Sequence, residues 1–108
     1  DEREWLVRLY LDTLLPEDWD GMDIFERRNF LTGSDFGDTQ KHGTVKRTQV
    51  SNMEIWCECF GKERANIRRT DSNELTAILA RLGWKRLDSK VRIPLYGPQY
   101  VFVPKECS

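Results

Sequence analysis

No stretch of this chain approaches the roughly 18 apolar residues that a bilayer crossing needs, and its start shows no signal-peptide pattern. Histidine occurs once, as His42, and cysteine three times, as Cys57, Cys59 and Cys107. That set is too small and too badly spaced for a four-ligand zinc site, so no metal and no cofactor are expected, and the thiols read as reduced, as in a cytoplasmic protein. G-x-x-x-x-G-K-[ST] is missing, so no loop here cradles nucleotide phosphates. Asp35-Phe36-Gly37 spells the metal-binding tripeptide of protein kinases, but its glycine-rich loop, lysine strand and catalytic loop are absent, and it reads as a turn. Cys57 or Cys59 as a nucleophile would need a histidine base, and only His42 could serve. Paired acids such as Glu17-Asp18 sit where helix starts explain them. No complete set of catalytic roles assembles, so the chain reads as a non-enzyme.

What remains is a chain of 108 residues with four Trp, five Phe and three Tyr, enough apolar surface for one folded domain. Its charge is divided. Residues 1–38 hold eleven Asp/Glu against four Arg, net −7, and the other seventy hold thirteen Lys/Arg against seven acids, net +6. A near-neutral total of −1 therefore conceals a basic C-terminal part, a field that attracts polyanions.

Spacing gives the elements. Residues 2–15 predict a helix, with Trp5, Leu6, Leu9, Tyr10, Leu14 and Leu15 as its apolar side and Pro16 as its stop. A second helix is expected from near Asp20, capped by Asp20 and Asp23, with Ile24, Phe25 and Leu31 inward and Gly33 at its end. Residues 32–43 read as a loop and 44–50 as a short strand. Ser51 with Glu54 forms a capping box, with Val50 and Ile55 as its hydrophobic staple, for a helix carrying Met53, Trp56, Cys57 and Phe60 on one stripe up to Gly61. Asp71 with Glu74 predicts a second box, opening a helix over 71–82 with Leu75, Ile78, Leu79 and Leu82 buried and Gly83 as terminator. The tail predicts a hairpin: strands at 84–87 and 99–103, joined by a charged, turn-rich segment over 88–98. Trp56 and Trp84 are assigned to the core, and Tyr96 and Tyr100 to cross-strand packing ahead of base stacking.

Helix, short strand, two helices and a hairpin is the element order of a winged helix: mainly α with a small β-hairpin. Residues 1–33 would be an acidic helical extension with the first helix, and 44–104 the strand, two helices and wing of one domain over 1–108. In such folds the helix after the turn enters the major groove and the wing touches the flanking backbone. The expected nucleic-acid contacts are Lys62, Arg64, Arg68 and Arg69 before that helix, Asn73, Thr76 and Arg81 on it, and Lys85, Arg86, Lys90 and Arg92 on the hairpin. Most of these bracket a groove without reading it, so phosphate contacts and weak sequence preference are expected. The same arginines could instead pair with the acidic N-terminal part, in this molecule or in a neighbour.

Three stretches also carry a family likeness: Met53-Glu54-Ile55-Trp56-Cys57-Glu58-Cys59-Phe60-Gly61; Asp71-Ser72-Asn73-Glu74 with Ile78-Leu79 and Gly83-Trp84; and Leu15-Pro16-Glu17-Asp18-Trp19-Asp20 with Glu26-Arg27-Arg28-Asn29-Phe30-Leu31, joined by the late Tyr96-Gly97-Pro98-Gln99. Across nearly its whole length the chain resembles the C-terminal region of the virulence-associated protein E family, phage- and mobile-element proteins similar to primase-helicases. The resemblance implies a domain excised from an ATPase-containing parent, whose motor activity cannot be carried over because the P-loop is missing. DNA is the partner implied, with the parent's ATPase domain or an adjacent subunit as the alternative.

Overall fold

The computed structural model describes residues 2–32 and 43–105. Of the loop expected over 32–43, Thr32 is instead helical, and residues 33–42, with Gly33, the Asp35-Phe36-Gly37 turn and His42, fall outside the described residues, as does Cys107.

The first helix, α1, spans Glu2–Asp12 and buries Val7, Tyr10 and Leu11. The face expected inward is largely outside: Trp5 is 57% exposed and Leu9 47% exposed. Apolar side chains occur almost all round this helix, so periodicity does not choose its rotation. Long-range polar contacts choose it: Tyr10 Oη donates to Glu58 Oε1 at 2.6 Å, Arg3 Nη1 to Glu74 Oε1 at 2.6 Å, and Arg81 Nε to Glu4 Oε1 at 2.7 Å. Beyond Pro16 a 3-10 turn at Trp19–Gly21 takes up Asp20. The helix α2, Ile24–Thr32, begins later than expected, at a reciprocal cap in which Asp23 Oδ1 accepts from the Glu26 amide and Glu26 Oε1 accepts from the Asp23 amide.

Within 44–50, Val45 forms a single antiparallel bridge to Leu15, and the regular strand β1 is only Val50–Ser51. The Ser51–Glu54 box forms as expected: Ser51 Oγ accepts from the Glu54 amide at 3.2 Å, and Glu54 Oε1 from the Ser51 amide at 2.7 Å. Its staple residues Val50 and Ile55 are both fully buried in the main core. The helix is short, however. After α3, Asn52–Glu54, the chain widens into a π-helical turn over Ile55–Cys59, closed by the Phe60 amide donating to the Ile55 carbonyl at 3.1 Å. Widening turns four consecutive side chains inward, Ile55, Trp56, Cys57 and Glu58.

Helix α4 spans Arg69–Arg81 and begins two residues before the expected start. Asp71 is its third residue, and its carboxylate accepts from the Arg68 amide at 3.0 Å. Glu74 therefore does not cap; it holds Arg3. Leu75, Ile78 and Leu79 are buried as expected, with Leu82 packed beside them. Gly61 and Gly83 adopt φ of +67° and +90°, the left-handed region that ends helices at low cost for glycine.

The hairpin is longer than expected. Strand β2, Trp84–Ile93, pairs with β3, Gly97–Pro104, down to Ile93 opposite Gly97, so the connection shrinks to residues 94–96. β1 adds to the free edge of β3, Val50 opposite Phe102, giving a three-stranded antiparallel sheet in the order β1-β3-β2. The domain is thus mixed α/β rather than mainly α with a hairpin.

A buried ionic centre ties the acidic first part to the rest. Glu58 Oε2 accepts from Arg27 Nη1 and Tyr96 Oη, both at 2.8 Å, while Arg27 Nε and Nη2 reach the Trp19 carbonyl at 3.2 and 2.9 Å. All three nitrogens of the Arg27 guanidinium are thereby engaged, which its burial requires. Burial, followed by the nearby Glu58 carboxylate, lifts the Tyr96 hydroxyl far above its ordinary range, and burial lifts that of Tyr10 despite Arg47. Both phenols therefore stay protonated and able to donate.

Candidate nucleic-acid interface

The eleven expected contact residues divide by location. Arg68 and Arg69 stand exposed at the start of α4, and Asn73 continues the outward stripe with Ala77 and Ala80. Cations are unfavourable beside the positive end of a helix dipole, so the fold gains nothing from this pair of arginines there. A bound anion would reverse that sign, because free amides and arginine donors would converge on it.

Two helix residues are already occupied. Thr76 Oγ1 accepts from Asn52 Nδ2 at 3.2 Å, and Arg81 is bound to Glu4. Among the described residues, Arg81 is the member of the eleven held in an ion pair.

Strand register decides which way the hairpin cations face. Arg86 lies opposite Phe102, Lys90 opposite Tyr100 and Arg92 opposite Pro98. Paired residues share a face, and alternate residues along β3 return to it. The irregularity between Arg86 and Lys90 leaves this phase intact, since it spans Val101 alone on β3. Phe102 and Trp84, on that same face, pack into the cluster containing Leu75, Ile78 and Leu79 of α4. Hence α4 and the three cations Arg86, Lys90 and Arg92 lie on one side of the sheet. Between them stands Tyr100, 41% exposed, with the Arg86 guanidinium 4.9 Å and Lys90 Nζ 5.5 Å from its ring centre. Tyr96, by contrast, is core.

Lys62, Arg64 and Lys85 do not join this face. Lys85 pairs opposite Val103 and so points to the other side of the sheet. Lys62 sits 5.7 Å over the Trp56 ring, and Arg64 Nη2 donates to the Tyr96 carbonyl at 2.9 Å. Trp56 and Tyr96 belong to the second core cluster, which packs with Val101 and Ile93 on that other side.

Sequence reasoning missed the buried charges Arg27, Arg47, Glu54 and Glu58. One signal for them exists: Glu58 is a lone charge inside the apolar run Ile55–Phe60. Burial pushes the Cys59 thiol up to about 11 and raises Cys57 as well, so neither supplies a thiolate near neutral pH. Among the described residues no group of three His, Cys, Asp or Glu side chains comes together as a metal site, and no helix is long and apolar enough to cross a membrane. No protein-family model matches the chain, and no curated protein matches it either.

Proposed function

We propose that this chain is a winged-helix domain that binds DNA mainly through backbone phosphates, with α4 as the groove-facing helix and the β2–β3 hairpin as the wing. The carrying observation is the shared side of the sheet: α4, with Arg68 and Arg69 at its head, and the row Arg86, Lys90 and Arg92 beside Tyr100. The strand order β1-β3-β2, with a short first strand supplied ahead of two helices, supports the winged-helix reading. Asn73 is the polar side chain on the open stripe of α4, since Thr76 and Arg81 are engaged, so base readout is slight and phosphate charge dominates. The parent we infer is a primase-helicase-like protein of the virulence-associated protein E family, with this domain as a non-catalytic accessory working in the cytoplasm.

The test is a titration of labelled single- and double-stranded DNA at several salt concentrations. Affinity should fall with salt. Replacing Arg86, Lys90 and Arg92 by Gln should flatten the log–log slope by about 0.9 for each duplex phosphate left unneutralised, or about 0.7 on single strands. Binding unaffected by that triple change would remove the hairpin from the footprint. Absence of binding even at about 50 mM salt, where phosphate attraction is strong, would favour a second reading.

That second reading is a docking module for an ATPase core or neighbouring subunit. It draws on the outer face of α1, where Trp5, Leu6 and Leu9 are exposed although the helix itself is anchored. Contiguous apolar surface of this kind marks contact sites more often than solvent faces.

A further inference from the structure

Tyr100 stands apart from the other aromatic side chains of the hairpin. Phe102, two residues on and on the same face of the sheet, is buried in the main core, and Tyr96 is buried in the second cluster. Tyr100 is 41% exposed and, among the described residues, belongs to none of the core clusters. Packing against an apolar residue across the strands does not account for it, because the residue opposite is Lys90. The groups over its ring are cations, the Arg86 guanidinium at 4.9 Å and Lys90 Nζ at 5.5 Å. Both cations are themselves exposed. The fold thus presents to solvent an open aromatic ring between two positive charges.

Bases inside a duplex hide their faces in the stack, so a wing meets only phosphates, sugars and base edges. An unpaired base offers its face, and single strands are held by aromatic rings that stack on bases beside cations that track the backbone. We infer that Tyr100 is a stacking platform for one unpaired base of single-stranded DNA, with Arg86 and Lys90 on the phosphates flanking that base. This rests on the DNA-binding reading above and adds to it a contact that duplex cannot make. The cations already over the ring do not block it. A cation over an exposed ring is weakly held and a stacked base more firmly, so the base takes a ring face and the displaced cation turns to the adjoining phosphate. Asp88, within the irregular stretch between the two cations, is the one acid of β2 and is outnumbered by Arg86, Lys90 and Arg92. Every base has a face to stack, so the contact carries little sequence preference.

The test titrates the full chain, by fluorescence anisotropy at about 50 mM salt where phosphate attraction is strong, against three labelled ligands. These are a short oligothymidylate, an abasic strand of the same length and charge, and a blunt hairpin duplex. Oligothymidylate should bind about fivefold or more tighter than the abasic strand, the gain expected from one stacked base. Tyr100→Leu, which keeps an apolar side chain and loses the ring, should erase that difference and leave duplex affinity unchanged. Tyr100→Phe, which keeps the ring, should preserve it. Equal affinity for oligothymidylate and the abasic strand would refute the stacking role, and this comparison needs no variant to fold. So would a loss in Tyr100→Leu that is the same on duplex as on single strand, or a loss in Tyr100→Phe as large as in Tyr100→Leu. In each of those cases binding through phosphates still stands. Absence of binding to all three ligands would overturn the stacking role and the DNA-binding reading together.

Discussion

The Arg27–Glu58 pair allows the sharpest test of how this domain is held together. Both side chains are fully buried, 1% and 0% exposed, at 2.8 Å. Removing one member of such a pair leaves the other charge uncompensated and costs about 3–5 kcal/mol. A domain of this size has about 5–15 kcal/mol in all. Arg27→Met should be the costlier change, because it also strips the Trp19 carbonyl of two donors. Glu58→Gln keeps an acceptor oxygen, and the hydroxyls of Tyr10 and Tyr96 can rotate to meet its amide. The double variant Arg27→Met/Glu58→Gln should cost less than the two singles added, by about 2 kcal/mol or more, because neither partner is then left as a lone buried charge. Urea unfolding followed by far-ultraviolet circular dichroism measures all three. Single losses under about 1 kcal/mol, or strict additivity, would show that the pair acts as packing and not as charge.

Two further outcomes follow from named side chains. Burial lifts the Glu54 carboxyl to about 7 from its ordinary 4.5, so the folded state holds this proton more tightly than the unfolded state. Its contribution to stability should then be full below about pH 4.5 and be lost, by about 3 kcal/mol, as pH rises towards 7. Glu54→Gln, which retains an oxygen for the Ser51 amide, should flatten that decline, and equal urea midpoints for the native chain at pH 5 and pH 8 would contradict it. In the hairpin turn Leu95 sits at φ 75°, a left-handed conformation that costs a branched side chain about 1–3 kcal/mol. Leu95→Gly should raise the thermal midpoint, and a lowered midpoint would mean that this leucine contributes packing that outweighs its strain.

The parts of this fold that sequence reasoning recovers are those fixed by local chemistry. The Ser51–Glu54 box, the Val50–Ile55 staple, the leucine stripe of α4 and the glycines at 61 and 83 each depend on neighbours within a turn or two. The parts it misses depend on partners far along the chain. Which face of α1 points inward is decided by Glu58 and Glu74, 48 and 71 residues from their partners Tyr10 and Arg3. The π-helical turn, which carries Glu58 inside, has no periodic signature because it breaks the period that would reveal it. At the candidate interface the residue types are legible and their directions are not. Arg86, Lys90 and Arg92 share a face through strand register, and the extension of β2 to Ile93 that fixes this register runs through a segment whose proline and charges read as loop.

The ion pairs among the described residues show where part of the opposite charge of the two halves goes. Had the acids of the first part simply neutralised the cations of the second, no basic face would survive. The long-range pairs mostly do the reverse. Arg27 and Arg3, minority charges of the acidic part, are bound to Glu58 and Glu74, minority charges of the basic part. Arg28, a third, is turned onto the carbonyls of Cys57 and Lys62. Arg81 with Glu4, by contrast, joins a majority charge from each. Folding thus spends several of the charges that would have blurred the division, and among the described residues Arg68, Arg69, Arg86, Lys90 and Arg92 make no ion pair.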